Sequence, residues 1–127
     1  MTSAPVTGIG NIILTVRDLS RSLAFYRDTI GLEVRASGQE FAFLQAGGVT
    51  LCLRQASRVP EPADEPRVEI VFDVPDIHAA HEALKARGVA FRVEPRVVTG
   101  RLWATDFRDP DGHALSIFGP SATQAQP

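Results

Sequence analysis

The chain has one cysteine, one tryptophan, one tyrosine and one methionine in 127 residues. The lone Cys52 cannot close an internal disulfide. With no CxxC and no Cys/His cluster, a zinc finger is excluded and a reducing, cytoplasmic location is expected. Charge of either sign is also scarce in net terms: the balance is −2 and the pI about 5.9, so no long-range field gathers nucleic acid or an anionic membrane. No apolar run approaches the ~20 residues of a membrane span. The opening MTSAPVTGIG has neither the basic nor the apolar segment of a secretory signal. Neither nucleic acid nor a membrane is an expected partner. The length leaves no room for a second independent domain, although 44% hydrophobic content can bury a core.

What the sequence does contain is a phrase written twice. NIILTVRDL, residues 11–19, returns as EIVFDVPDI, residues 69–77. The β-branched run 11–16 is too short for a helix and predicts a strand, with Ile12, Leu14 and Val16 on one face and Asn11, Ile13 and Thr15 on the other. Asp18 stands where an N-cap belongs. Leu19, Leu23, Tyr26 and Ile30 follow at helical spacing before Gly31, a left-handed terminator. The second copy repeats the plan: Ile70, Phe72 and Val74 oppose Glu69, Val71 and Asp73, Asp76 caps a helix striped by Ile77, Ala80 and Leu84, and Gly88 ends it. Strand start and cap are displaced by the same offset, so register holds across both elements.

Further strands are expected at about 32–36, 40–46 and 49–55, and at 89–95, 101–108 and 113–118. DPDG at 109–112 is turn chemistry, with Pro at i+1 and a glycine free to take positive φ. Each copy is thus βαβββ, covering 9–55 and 67–118. The Pro-rich stretch 56–66, ASRVPEPADEP, connects them, and 119–127 reads as a disordered tail of one domain spanning 1–127. The fold class is α+β. A single helix cannot cover both faces of four strands, so the helices should cover one face while the opposite faces curve into a cleft.

VRDLSRSLAFYRDTIGLEV, VPDIHAAHEALKARGV and FRDPDGHALSIFG, in this order, resemble the vicinal oxygen chelate superfamily: glyoxalase I, extradiol dioxygenases, fosfomycin-resistance thiol transferases and bleomycin-resistance proteins. The resemblance implies paired βαβββ modules and, in the metal enzymes, His, Glu or Gln ligands at the start of the first strand and the middle of the last strand of each module. Carried onto this chain, those positions are Asn11 and Glu69, then Cys52 and Ser116. Catalytic metals want three or four imidazole and carboxylate donors with an open position. An amide, a carboxylate, a thiol and a hydroxyl depart from that pattern, so no metal and no other cofactor is expected.

Each remaining candidate has a functional and a structural reading. Glu69, on the expected cleft face, is either a ligand anchor or an ion-pair partner for an arginine such as Arg54; general-base work lacks a partner group. Cys52 reads more readily as a small buried filler than as a nucleophile. His78 and His81 lie on the helix away from the cleft, and His113 should point opposite Ser116. Trp103 is either a ligand wall or core, since its strand parity is open. The reading is a non-enzymatic, bleomycin-resistance-like protein that sequesters an antibiotic-like, planar or apolar compound on Asn11, Ile13, Cys52, Arg54, Glu69, Trp103, Ser116 and Phe118. The alternative is an enzyme of this superfamily: a metal-dependent lyase, isomerase, thiol transferase or dioxygenase, or a metal-free catalyst using Glu69. The resemblance also implies a homodimer.

Overall fold

Asp18 and Asp76 open the two helices of the structure, a computed structural model that describes residues 5–122. Both are extended, with φ −133° and −148°, and each carboxylate accepts a backbone N–H of its helix's first turn, from Arg21 and His78 respectively, at 3.2 Å. A helix start leaves N–H groups without intrahelical partners, and a cap of this kind is worth about 1 kcal/mol. The chain divides into two compact units between Val59 and Pro60, inside the Pro-rich connector expected at 56–66.

The first unit contains β1 (Asn11–Val16), α1 (Leu19–Ala24), β2 (Glu33–Ser37), β3 (Phe41–Ala46) and β4 (Val49–Gln55). Its four-stranded sheet has the order β1-β4-β3-β2, with β1 parallel to β4 and the other pairs antiparallel. Alternation along the strands sends Leu14, Val16, Ala42, Leu44, Leu51 and Leu53 into the core beneath α1, where Leu19 and Tyr26 meet them. Each fully buried leucine contributes about 1.5–3 kcal/mol relative to exposure. The expected helical stripe drifts after Tyr26. Residues Phe25–Ile30 form a π-helical turn in which Gly31 N–H reaches back to the Tyr26 carbonyl at 3.1 Å. The wider turn leaves Leu23 and Ile30 half-buried, while Ser22 is fully buried. Gly31, at φ 95°, ends the helix in the left-handed conformation anticipated for it.

The second unit repeats the plan with β5 (Glu69–Asp73), α2 (Ile77–Ala86), β6 (Arg96–Thr99), β7 (Leu102–Arg108) and β8 (Ala114–Pro120), in the sheet order β5-β8-β7-β6. Ile77, His81 and Leu84 point from α2 into a core with Phe107, Leu115 and Ile117. His81 is buried where the stripe expectation placed Ala80, which is half-buried.

Two boundaries differ from the sequence reading. The strand expected at 89–95 is irregular there: Pro95 has no N–H to give, and the segment is tied to β7 by the Arg92 N–H to the Asp106 carbonyl at 2.9 Å and the Thr105 hydroxyl to the Val93 carbonyl at 2.6 Å. The regular strand begins only at Arg96. The tail expected to be disordered from 119 is ordered in its first part: Gly119 and Ser121 are buried, and the Ala122 N–H reaches the cap carboxylate of Asp76 at 3.3 Å. Residues 123–127 of that tail lie outside the described residues. Among the described residues no helix is long and apolar enough to cross a membrane.

Candidate functional site

The sheet face of the first unit turned away from α1 is built in rows by strand register. Ile13, Cys52 and Phe43 lie side by side on β1, β4 and β3; Thr15, Arg54 and Phe41 form the next row on one side, and Asn11, Thr50 and Gln45 the next on the other. Within a strand these rows are one two-residue repeat apart, and neighbouring strands are ~4.8 Å apart. Ile13, Phe41 and Phe43 are 54%, 41% and 37% exposed, a concentration of large apolar side chains on one face that water would not favour. Phe41 and Phe43 stand with their rings 10° from parallel. Cys52 is buried between its row neighbours, so desolvation pushes its thiol pKa up, offset in part by the nearby positive charge of Arg54. Among the described residues, no hydrogen bond or ion pair engages the Arg54 guanidinium.

The corresponding face of the second unit is charged. Its rows are Glu69, Ala114 and Arg108; Val71, Ser116 and Asp106; Asp73, Phe118 and Ala104. Arg92 grips Asp106 with Nε and an Nη at 2.6 and 2.8 Å, a two-pronged contact that raises the arginine's pKa first by hydrogen bonding and then by Coulombic attraction, with a smaller contribution from Glu69. Arg108 is committed elsewhere, donating to the carbonyls of Gly112 at 2.8 Å and Ala63 at 2.9 Å. These bonds fasten the connector onto the DPDG turn, where Pro62 lies directly over Gly112. Glu69 and Val71 are exposed, Phe118 is half-buried and Ser116 is buried.

The register therefore brings Asn11, Ile13, Cys52 and Arg54 onto one face, and Glu69, Ser116 and Phe118 onto the face of the other sheet. It does not bring Trp103 there. Trp103 shares parity with Thr105 and Phe107, both buried under α2, and meets the His78 ring edge-on with centroids 4.8 Å apart. Trp103 therefore stands half-buried on the helix side of its sheet, opposite the face that carries Ser116 and Phe118. His81 is buried against Phe91, with centroids 4.5 Å apart, and its ring nitrogens lie 3.9 Å from Glu82 and from Glu94. Phe41, Phe43, Gln45 and Thr50 were not singled out in the sequence. Their signal was the alternation of FAFLQA, in which Phe41, Phe43 and Gln45 share the parity opposite the core residues Ala42 and Leu44. Among the described residues, hollows of about 390 and 300 Å³ lie elsewhere, the first around Arg17, Glu40 and Gln55 and the second around His81, Phe91 and Glu94; neither is lined by a residue anticipated as part of the site.

A fold of two βαβββ modules with open sheet faces defines a class, and comparison with known sequences names it. The chain belongs to the Glyoxalase/Bleomycin resistance protein/Dioxygenase superfamily, whose sequence profile matches residues 8–117. It is 28% identical over 116 residues to metallothiol transferase FosB of Staphylococcus epidermidis, covering 88% of this chain and 81% of that one. It is 26% identical over 117 residues to the protein YetH of Bacillus subtilis, covering 86% and 95%. The crystal structure of the fosfomycin resistance protein FosX from Listeria monocytogenes shares the fold with a TM-score of 0.77, at 23% identity over 94% of this chain and 98% of that one.

The donor set does not fit the metal that such relatives' names imply. Of Asn11, Cys52, Glu69 and Ser116, only Glu69 offers a carboxylate. Burial keeps the Cys52 thiol in its protonated form, and the amide and hydroxyl are neutral. A catalytic divalent ion takes imidazole and carboxylate donors and leaves a position open.

Proposed function

We propose that this protein binds and sequesters a small planar or apolar molecule, in the manner of the bleomycin-resistance branch of its superfamily, without a metal at the four matched positions. The observation that carries the reading is the exposed Ile13, Phe41 and Phe43 on the open face of the first unit, beside polar Asn11 and Arg54. An apolar surface with a few polar groups at its border suits a small organic ligand. Glu69, Ser116 and Phe118 are proposed as ligand-contacting residues on the second unit's own face, and a homodimer as the assembly. A cytoplasmic location belongs to the same reading.

A second reading has its own support in the likeness to metallothiol transferase FosB: an enzyme of this superfamily, either a metal-dependent lyase, isomerase, thiol transferase or dioxygenase, or a metal-free catalyst using Glu69. Elemental analysis of the purified protein, together with mass spectrometry of extracted small molecules, separates the two. The binding reading expects no stoichiometric metal and a retained organic compound. One Zn, Fe, Mn or Ni per chain that disappears in Glu69→Ala would establish the enzyme reading instead.

A further inference from the structure

The rows on the first unit's open face have a polarity that narrows the ligand. The middle row, Ile13, Cys52 and Phe43, carries no charged group, and its one sulfur is buried, with the Leu53 carbonyl at 3.9 Å. The row on one side carries a guanidinium, Arg54, directly opposite Phe41 across the β3–β4 pair. The row on the other side carries neutral hydrogen-bonding groups: the amides of Asn11 and Gln45 and the hydroxyl of Thr50. Arg54 and Thr50 are four residues apart on the same strand, so cation and amides are about 13 Å apart at the backbone, with flat apolar surface between.

Other arginines in this molecule show what an engaged guanidinium looks like. Arg92 clasps Asp106, Arg27 clasps Asp28, and Arg108 is spent on backbone carbonyls. Arg54 has no such partner among the described residues, although it stands beside aromatic rings that would help to desolvate whatever it held. A guanidinium is a planar fork matched to a carboxylate, and it retains its charge at any pH the protein meets.

We infer that this face recognises a planar aromatic monocarboxylate, its acid group on Arg54, its ring over Cys52 and Phe43, and a hydrogen-bonding substituent at its far end against Asn11 and Gln45. This rests on the reading that the face binds a small molecule, and it adds the charge and polarity of that molecule. The geometry favours an anion over the cation that a Glu69 anchor alone would suggest. Glu69 lies on the other unit's sheet, where the Arg92 charge already faces it.

The test uses two probes of nearly equal shape, 4-hydroxycinnamate and its neutral amide, titrated calorimetrically into the full-length protein near pH 7. The acid is expected to bind at least about tenfold more tightly, as one charge-assisted hydrogen-bonded pair predicts. Arg54→Gln should weaken the acid far more than the amide, bringing that ratio to near one, and Arg54→Lys should restore part of it. Arg54 is exposed, so thermal unfolding should show all three proteins equally folded. Equal binding of acid and amide to the wild type, or a ratio that survives Arg54→Gln, overturns the inference while leaving the small-molecule reading intact. If neither probe binds, and replacing Phe41 and Phe43 together by Ser converts a dimer to a monomer in sedimentation, the face belongs to a second copy of the chain and both readings fall.

Discussion

Phe41 and Phe43 hold their rings 10° from parallel with centroids 6.3 Å apart, and both remain more than a third exposed. The separation is close to the two-residue strand repeat of about 6.6–6.8 Å, so the parallel arrangement follows directly from neighbouring same-face positions on β3. Two rings that keep more than a third of their surface in water contribute only part of a full core burial. Phe43→Ser should therefore lower unfolding free energy by about 1–2 kcal/mol, below the cost of a fully buried ring, measured in urea, while weakening any planar ligand of this face by at least about fivefold. A large loss of stability in Phe43→Ser would assign the ring to the core.

Cys52 supplies a pH dependence with a definite sign. Its thiol pKa is raised above 9.0 by burial, so the folded state holds the proton more tightly than the unfolded state. The stabilising contribution is then complete below the unfolded value and declines as pH rises from about 9 through the folded value. Urea midpoints of wild type and Cys52→Ala should differ less at pH 10 than at pH 8. Native protein should also react slowly with thiol reagents at pH 8 and rapidly once denatured.

The second helix and the end of the last strand share one carboxylate. Asp76 accepts the His78 N–H at 3.2 Å and the Ala122 N–H at 3.3 Å. Asp76→Ala should lower stability by about 1–2 kcal/mol, and Asp76→Asn, which keeps an acceptor oxygen, by clearly less. Thermal unfolding of the three proteins measures this. Equal melting temperatures for wild type and Asp76→Ala would remove the cap from the account.

Gly112 has two independent reasons to be glycine. Its φ is 87°, and a Cβ there would lie 2.2 Å from Cγ of Pro62. Gly112→Ala should destabilise by more than 1 kcal/mol through the backbone conformation alone, with crowding added. The double variant Gly112→Ala with Pro62→Gly should recover only the crowding part. A double-mutant cycle by chemical denaturation reads the coupling directly, and strict additivity would show that Pro62 does not press on the turn.

Glycine at 119 meets an immovable neighbour. A Cβ there would come within 2.1 Å of the Val74 backbone carbonyl oxygen, beside the bond from the Val74 N–H to the Phe118 carbonyl at 3.0 Å. Gly119→Ala should therefore cost at least about 2 kcal/mol, because backbone in a paired sheet yields less readily than a side-chain tip. A change of a few tenths in urea would show that β5 and β8 separate more easily than their pairing suggests.

Much of the architecture is legible in the residues alone. The duplicated phrase predicted two modules, Asp18 and Asp76 predicted their helix starts, Gly31 and Gly88 their ends, and DPDG the last turn. Each of these is a short-range property: a cap, a left-handed glycine or an alternation is decided by residues a few positions apart. The π-helical turn at Phe25–Ile30 was not legible, because it depends on the Tyr26 carbonyl serving the N–H groups of both Gly31 and Leu32. The order of residues 119–122 was also hidden, since a polar tail becomes ordered only when something distant, here Asp76, holds it.

The site divides along the same line. Alternation within β1 and β4 determined by itself that Asn11 and Ile13 share a face, and that Cys52 and Arg54 do. Only the pairing of strands decided that Ile13, Cys52 and Phe43 form one row and that Arg54 stands opposite Phe41, because a shift of register by one residue would have sent each set to the other side of the sheet. Trp103 shows the limit most plainly. Nothing in the residues around it states its parity, and the pairing of β7 with β8 places it on the α2 side, edge-on to the His78 ring, where the helix shields part of the indole from water.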